Sequence, residues 1–169
     1  MKASKTLAVL IALAAGASSA FAAADFTTIR RLQTNLGDSV PKLLVSFTLP
    51  NTLNESSSTA NSAVLDLEAL GAEYNFNEIY INPPTTTCTD NSEDANQAAS
   101  LGMINEHDDI NLKGEWGGNH MVFSSSLLAV GTNQIMICVR NETGNVGTGS
   151  GNLDNVGVRG IVLHYHTTQ

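Results

Sequence analysis

Glu115-Trp116-Gly117-Gly118-Asn119-His120 is the stretch whose residue types come nearest to a binding site. Trp116 is the only tryptophan in the chain. A flat aromatic ring can stack on the apolar face of a pyranose, while carboxylates, amides and imidazoles beside it meet the hydroxyls. Gly117 and Gly118 carry no side chain, so a ligand can come close to the backbone there. Glu115, Trp116, Asn119 and His120 are therefore candidate ligand-binding residues, with Tyr80 and then Tyr74 as further platforms. The competing role for Trp116 is to fold down and cap a hydrophobic core. An aromatic share of 5% leaves little material for a strong sugar site.

The acidic residues suggest a second chemistry. Asp90-Asn91-Ser92-Glu93-Asp94 offers oxygens at alternate positions, as the start of an EF-hand loop does. The sixth position of that pattern is Ala95 and the twelfth is Leu101, which excludes an EF-hand. An irregular calcium site built from Asp90, Asp94, Asp108, Asp109 and Asp154 stays open, against the alternative of solvated loop acids. His164 and His166 share a strand face, but two ligands do not make a metal site. Nucleophile-elbow, zincin, P-loop and dinucleotide motifs are all missing from the sequence. Carboxylates are numerous enough for a glycosidase pair, yet the length and the single tryptophan favour binding over catalysis.

The N-terminus specifies export. Lys2 and Lys5 precede an apolar run from Thr6 to Ala15, and Ala20-Phe21-Ala22 forms a small-residue cleavage site. The run is shorter than the roughly 20 residues a membrane-spanning helix needs. Residues 1–22 are therefore expected to be a signal peptide and 23–169 a single domain, secreted to periplasm, cell surface or medium. Without Lys2 and Lys5 the chain has six basic residues against sixteen acidic ones. That balance argues against nucleic acid and anionic membranes as partners. Cys88 and Cys138 are the only cysteines, and an oxidising compartment would join them in one disulfide.

Positioning these residues falls to strands. Alternating apolar and polar positions run through Leu43–Leu49, Ser62–Leu70, Phe76–Ile81, Gln134–Arg140 and Ile161–His166, with weaker strands at Thr27–Gln33 and His120–Ser124. Turn residues separate them at Pro50-Asn51, Gly71, Asn82-Pro83-Pro84, Gly117-Gly118 and Gly131-Thr132-Asn133. The pattern predicts an all-β antiparallel sandwich. Asn82–Asn119 reads as a long polar loop with at most one short helix near Asp94–Leu101, and Asn141–Asn155 as a second loop. The disulfide would tie the first of these, and Trp116 with it, to the sheet.

Three segments carry a family resemblance. Glu78-Ile79-Tyr80-Ile81-Asn82 is a strand ending in an Asn turn, and Phe123 with Leu127–Ile137 contains a Gly-Thr-Asn turn entering a strand. The third is Leu153-Asp154-Asn155-Val156 running into Ile161-Val162-Leu163. Together they resemble the galactose-binding-like jelly roll found in many carbohydrate-binding modules. This resemblance implies a jelly-roll sandwich and a non-catalytic role, with a glycan or cell-surface polymer as partner. The chain is also similar to fimbrial pilins, which are exported one-disulfide sandwiches ending in an alternating strand with a late aromatic, here Tyr165. Its cysteines lie later than theirs, and Tyr165 is not the penultimate residue. That second resemblance implies self-assembly, as a structural or adhesive subunit built by strand addition.

Overall fold

Residues that alternate between apolar and polar have to lie between a core and something else, and this chain satisfies the requirement with strands throughout. The computed structural model describes residues 23–54, 62–73, 76–105, 115–146 and 153–168. The expected leader, Tyr74, Asp108 and Asp109 lie outside the described residues. The strands are β1 (Ala23–Arg30), β2 (Thr34–Leu36), β3 (Lys42–Leu49), β4 (Ser62–Leu70), β5 (Glu78–Ile81), β6 (Ser100–Met103), β7 (Gly117–Ser124), β8 (Gly131–Cys138) and β9 (Val156–Thr167).

They form two antiparallel sheets. The first runs β1-β9-β4-β7, with β2 continuing beside β9 where β1 stops, and the second runs β3-β8-β5-β6. β1 pairs with β9, β3 with β8, β4 with β7 and β5 with β6. First therefore meets last and so on inward, as in a long hairpin wound around itself. This is the jelly roll that the sequence predicts. Among the described residues no helix is long and apolar enough to cross a membrane.

Leu65, Leu67 and Ala69 of β4 and Val158, Ile161 and Leu163 of β9 bury one side of the first sheet. Ile79 and Ile81 of β5 and Ile135 and Ile137 of β8 meet them from the second. All ten belong to one apolar cluster, the core of the sandwich. Turn chemistry fixes where strands stop. Asn82 ends β5 in a left-handed conformation at φ 47°, which asparagine tolerates better than most residues. Its amide donates to the Leu127 carbonyl and to Asn133, and its Oδ1 accepts the backbone N–H of Gln134, each at 2.8 Å. Gly71 ends β4 at φ +72°, and a Cβ there would lie 2.8 Å from the Asn155 carbonyl oxygen, so no larger residue fits.

Four expectations need correction, the first being that Gly117-Gly118 and Gly131-Thr132-Asn133 open β7 and β8 and are not turns between strands. The polar segment Asn82–Asn119 is not one loop, because β6 divides it and single 3-10 turns form at Asn91–Glu93 and Gln97–Ala99. β1 begins at Ala23 rather than Thr27, since its pairing with β9 continues to Ala23↔Thr167. The segment before Ile161 is strand from Val156 onward, because β2 and β4 pair with it.

Candidate functional site

The two sheets treat their outer faces in opposite ways. On the second sheet that face is sealed. Glu78 and Tyr80 of β5 and Met136 and Cys138 of β8 point away from the core and are nevertheless buried. The segment 82–99 lies over them, held by the Cys88–Cys138 disulfide. Beneath it sits Arg140, with a side-chain exposure of 0%. Its Nη1 donates to Glu78 Oε2 at 2.9 Å and to the Phe76 carbonyl at 3.0 Å. Nη2 donates to the Tyr80 hydroxyl at 2.7 Å, and Nε to the Thr89 carbonyl at 3.0 Å. The Tyr80 hydroxyl lies 2.8 Å from Glu78 Oε2 and 2.6 Å from Asp94 Oδ2, and Ser100 donates to the other oxygen of Glu78.

Burial, and then the hydrogen bond to Asp94, push the Tyr80 phenol far above its ordinary pKa, so it stays protonated. Burial works to lower the pKa of Arg140, but the hydrogen bonds to Tyr80 and Glu78, with the charge of Glu78, outweigh it and hold the guanidinium charged. A buried charge needs such partners, because desolvation alone costs several kcal/mol. The cluster is a clasp that fixes the covering segment to the sheet. Tyr80 is thus not a surface platform.

The outer face of the first sheet is open. Register aligns its outward side chains in rows: Phe26, His164, Val64 and Val122, then Thr28, Val162, Asp66 and His120, then Arg159, Glu68 and Gly118. Asp66 stands between two imidazoles. His120 Nδ1 bonds its Oδ1 at 2.6 Å, and His164 Nε2 lies 3.0 Å from its Oδ2. Arg159 Nε donates to Glu68 Oε2 at 2.7 Å. The guanidinium also sits 3.9 Å from the centre of the Trp116 ring, in cation–π contact.

Trp116 thus lies on this outer face and does not cap the core. It can do so because position 157 is glycine: a Cβ there would meet the indole edge at 3.3 Å. Asn35, paired with Gly157 across β2 and β9, and Gln33, bonded to Asn35 at 2.6 Å, complete this end of the face.

The candidate residues of the sequence are therefore divided. Glu115, Trp116 and His120 are at least partly open to solvent, and Trp116 and His120 lie on the open face. Asn119 points inward by the alternation of β7, and its Oδ1 accepts the N–H of Asn105 at 2.7 Å. Tyr80 belongs to the sealed face of the other sheet. The disulfide sits on that sealed face too, so it secures the segment 82–99 and not the Trp116 end of the region.

Among the described residues, the candidate calcium ligands Asp90, Asp94 and Asp154 are each engaged with different partners. Asp94 faces Tyr80 and Arg140, Asp90 accepts the N–H of Val146 at 2.8 Å, and Asp154 accepts the N–H of Glu73 at 3.0 Å and the Asn77 amide. Among the described residues no three His, Cys, Asp or Glu side chains are grouped to hold a metal.

Sequence reasoning passed over Asp66, Glu68, Arg159 and Phe26, and weighed His164 only as a metal ligand beside His166. Their outward position was readable from alternation. What it lacked was the pairing of β4 with both β7 and β9, which puts residues far apart in the chain side by side. No family model and no curated protein matches this chain.

Proposed function

We propose that the protein is an exported, non-catalytic carbohydrate-binding module that takes its ligand on the outer face of the first sheet. One contrast carries the reading. The chain commits a disulfide and a buried arginine clasp to covering one sheet, and leaves on the other a half-buried tryptophan beside exposed polar side chains. Trp116 offers apolar ring surface for a pyranose. Asn35, Glu68, Asp66, His120 and His164 offer acceptors and donors for hydroxyls, already oriented by their pairing with one another. Export is supported by the leader and by the disulfide, which suits an oxidising compartment.

A glycan array followed by titration calorimetry tests this. Trp116→Ala is expected to weaken the best glycan roughly tenfold or more, about 1.4 kcal/mol or above. His120→Ala, at a side chain 74% exposed, is expected to weaken it without altering thermal unfolding. Unchanged binding in both variants would sink the proposal.

A second reading, a structural or adhesive subunit, draws on Phe26 and Val122, which lie in one row of the same face at 63% and 69% exposure. Under it the purified protein polymerises, and Trp116→Ala leaves the polymer intact.

A further inference from the structure

We infer that the ligand is an uncharged, extended polysaccharide lying along β9 between Trp116 and Phe26; the inference rests on the carbohydrate-binding reading above. The first observation is spacing. Trp116 covers Gly157 at one end of β9, and Phe26 pairs with His164 near the other, its ring 6.2 Å from the imidazole. One residue of the intervening stretch is absorbed by the bulge opposite Asp66 and Glu68. The six remaining steps span about 20 Å at ~3.3 Å each, the length of roughly four pyranose units in an extended chain. Asp66, Glu68, His120 and His164 lie between the two rings, where the hydroxyls of such a chain would pass. The exposed Val122, in the row of Phe26, adds apolar surface at the far end.

The second observation is charge. Arg159, on the outward side of β9, is committed to Glu68 and to the Trp116 ring. A uronate or sulfate would have to displace Glu68 to gain Arg159. It would also approach a chain whose residues 23–169 carry sixteen acidic side chains against six basic ones. A neutral polymer meets neither obstacle.

Calorimetry on the oxidised protein tests this, with two- and six-unit oligosaccharides of β-glucan, xylan, mannan and chitin, and with polygalacturonate. The best six-unit ligand is expected to bind roughly tenfold or more tightly than its two-unit form. Phe26→Ala is expected to remove that gain while leaving two-unit affinity and thermal unfolding unchanged, and polygalacturonate is expected to bind least. Equal affinity for both lengths, a length gain that survives Phe26→Ala, or a preference for polygalacturonate each overturns the inference and leaves the carbohydrate reading standing. Failure to bind any glycan on a broad array overturns both.

Discussion

Arg140 is the residue on which the second sheet depends most. Its guanidinium faces Glu78 at 2.9 Å and Asp94 at 3.6 Å, with no solvent to screen either carboxylate. Arg140→Met keeps most of the volume and removes the charge, leaving two buried carboxylates uncompensated. Breaking a buried pair in this way costs about 3–5 kcal/mol, so guanidinium unfolding of the oxidised protein is expected to show a loss of that size. A loss below about 1 kcal/mol would mean that the clasp is dispensable. Tyr80, in the same cluster, gives a pH signature. Its folded pKa is raised, so the unfolded chain ionises first as pH passes about 10. The unfolded state then holds fewer protons than the folded one, and stability falls by up to about 1.4 kcal/mol per pH unit for this group. The contribution is complete below pH 10 and is lost above it. Tyr80→Phe is expected to be less stable at pH 7 and to show a shallower alkaline decline than the parent. Parallel declines in the two proteins would contradict the assignment.

Elements were legible in the sequence wherever their own residues encode the period. β4 spans Ser62–Leu70, the limits the sequence predicts, because Leu65, Leu67 and Ala69 oppose Asp66 and Glu68 without interruption. Gly131-Thr132-Asn133, part of the family resemblance, opens β8 in place of the expected turn, and Asn133 does structural work there: its amide donates to the carbonyls of Ala129 and Gly131. β6 escaped notice because Ser-Leu-Gly-Met has no alternation and includes Gly102 at φ +121°, so only pairing with β5 makes it a strand. The burial of Glu78 and Arg140 was hidden for a related reason. On their strands they read as a polar outer face, and the cover that excludes water comes from 82–99. At the candidate site Trp116 and His120 could be picked by type, whereas their neighbours are set by cross-strand pairing. The cover itself makes a prediction. The disulfide closes a loop of sequence separation 50, worth about 4 kcal/mol in the chain-entropy model. Cys88→Ala with Cys138→Ala is expected to lose roughly that much stability and to raise amide exchange across 82–99. Glycan affinity is expected to be unchanged, because the open face belongs to the other sheet. A drop in affinity matching the loss of stability would show that the two faces are coupled.

At the scale of the whole molecule, the winding of the jelly roll makes the last strand the partner of the first. β9 pairs with β1, β2 and β4, so it holds the first sheet together along its full length. Its inward residues Val156, Val158, Ile161, Leu163 and Tyr165 are all buried. At about 1.5–3 kcal/mol each, their burial is worth roughly 7–15 kcal/mol. That matches the whole net stability of an ordinary domain, about 5–15 kcal/mol. Unlike the disulfide, whose loss the fold is expected to survive, β9 leaves nothing to spare when removed. A chain of residues 23–155 is therefore expected to lack a cooperative unfolding transition by circular dichroism and to bind a hydrophobic dye. Residues 23–169 are expected to unfold cooperatively under the same conditions. A cooperative transition in the shortened chain would mean that β3-β8-β5-β6, with β4 and β7, forms a sufficient core without β9, and that the terminal pairing of the roll is an addition to the fold and not its closure.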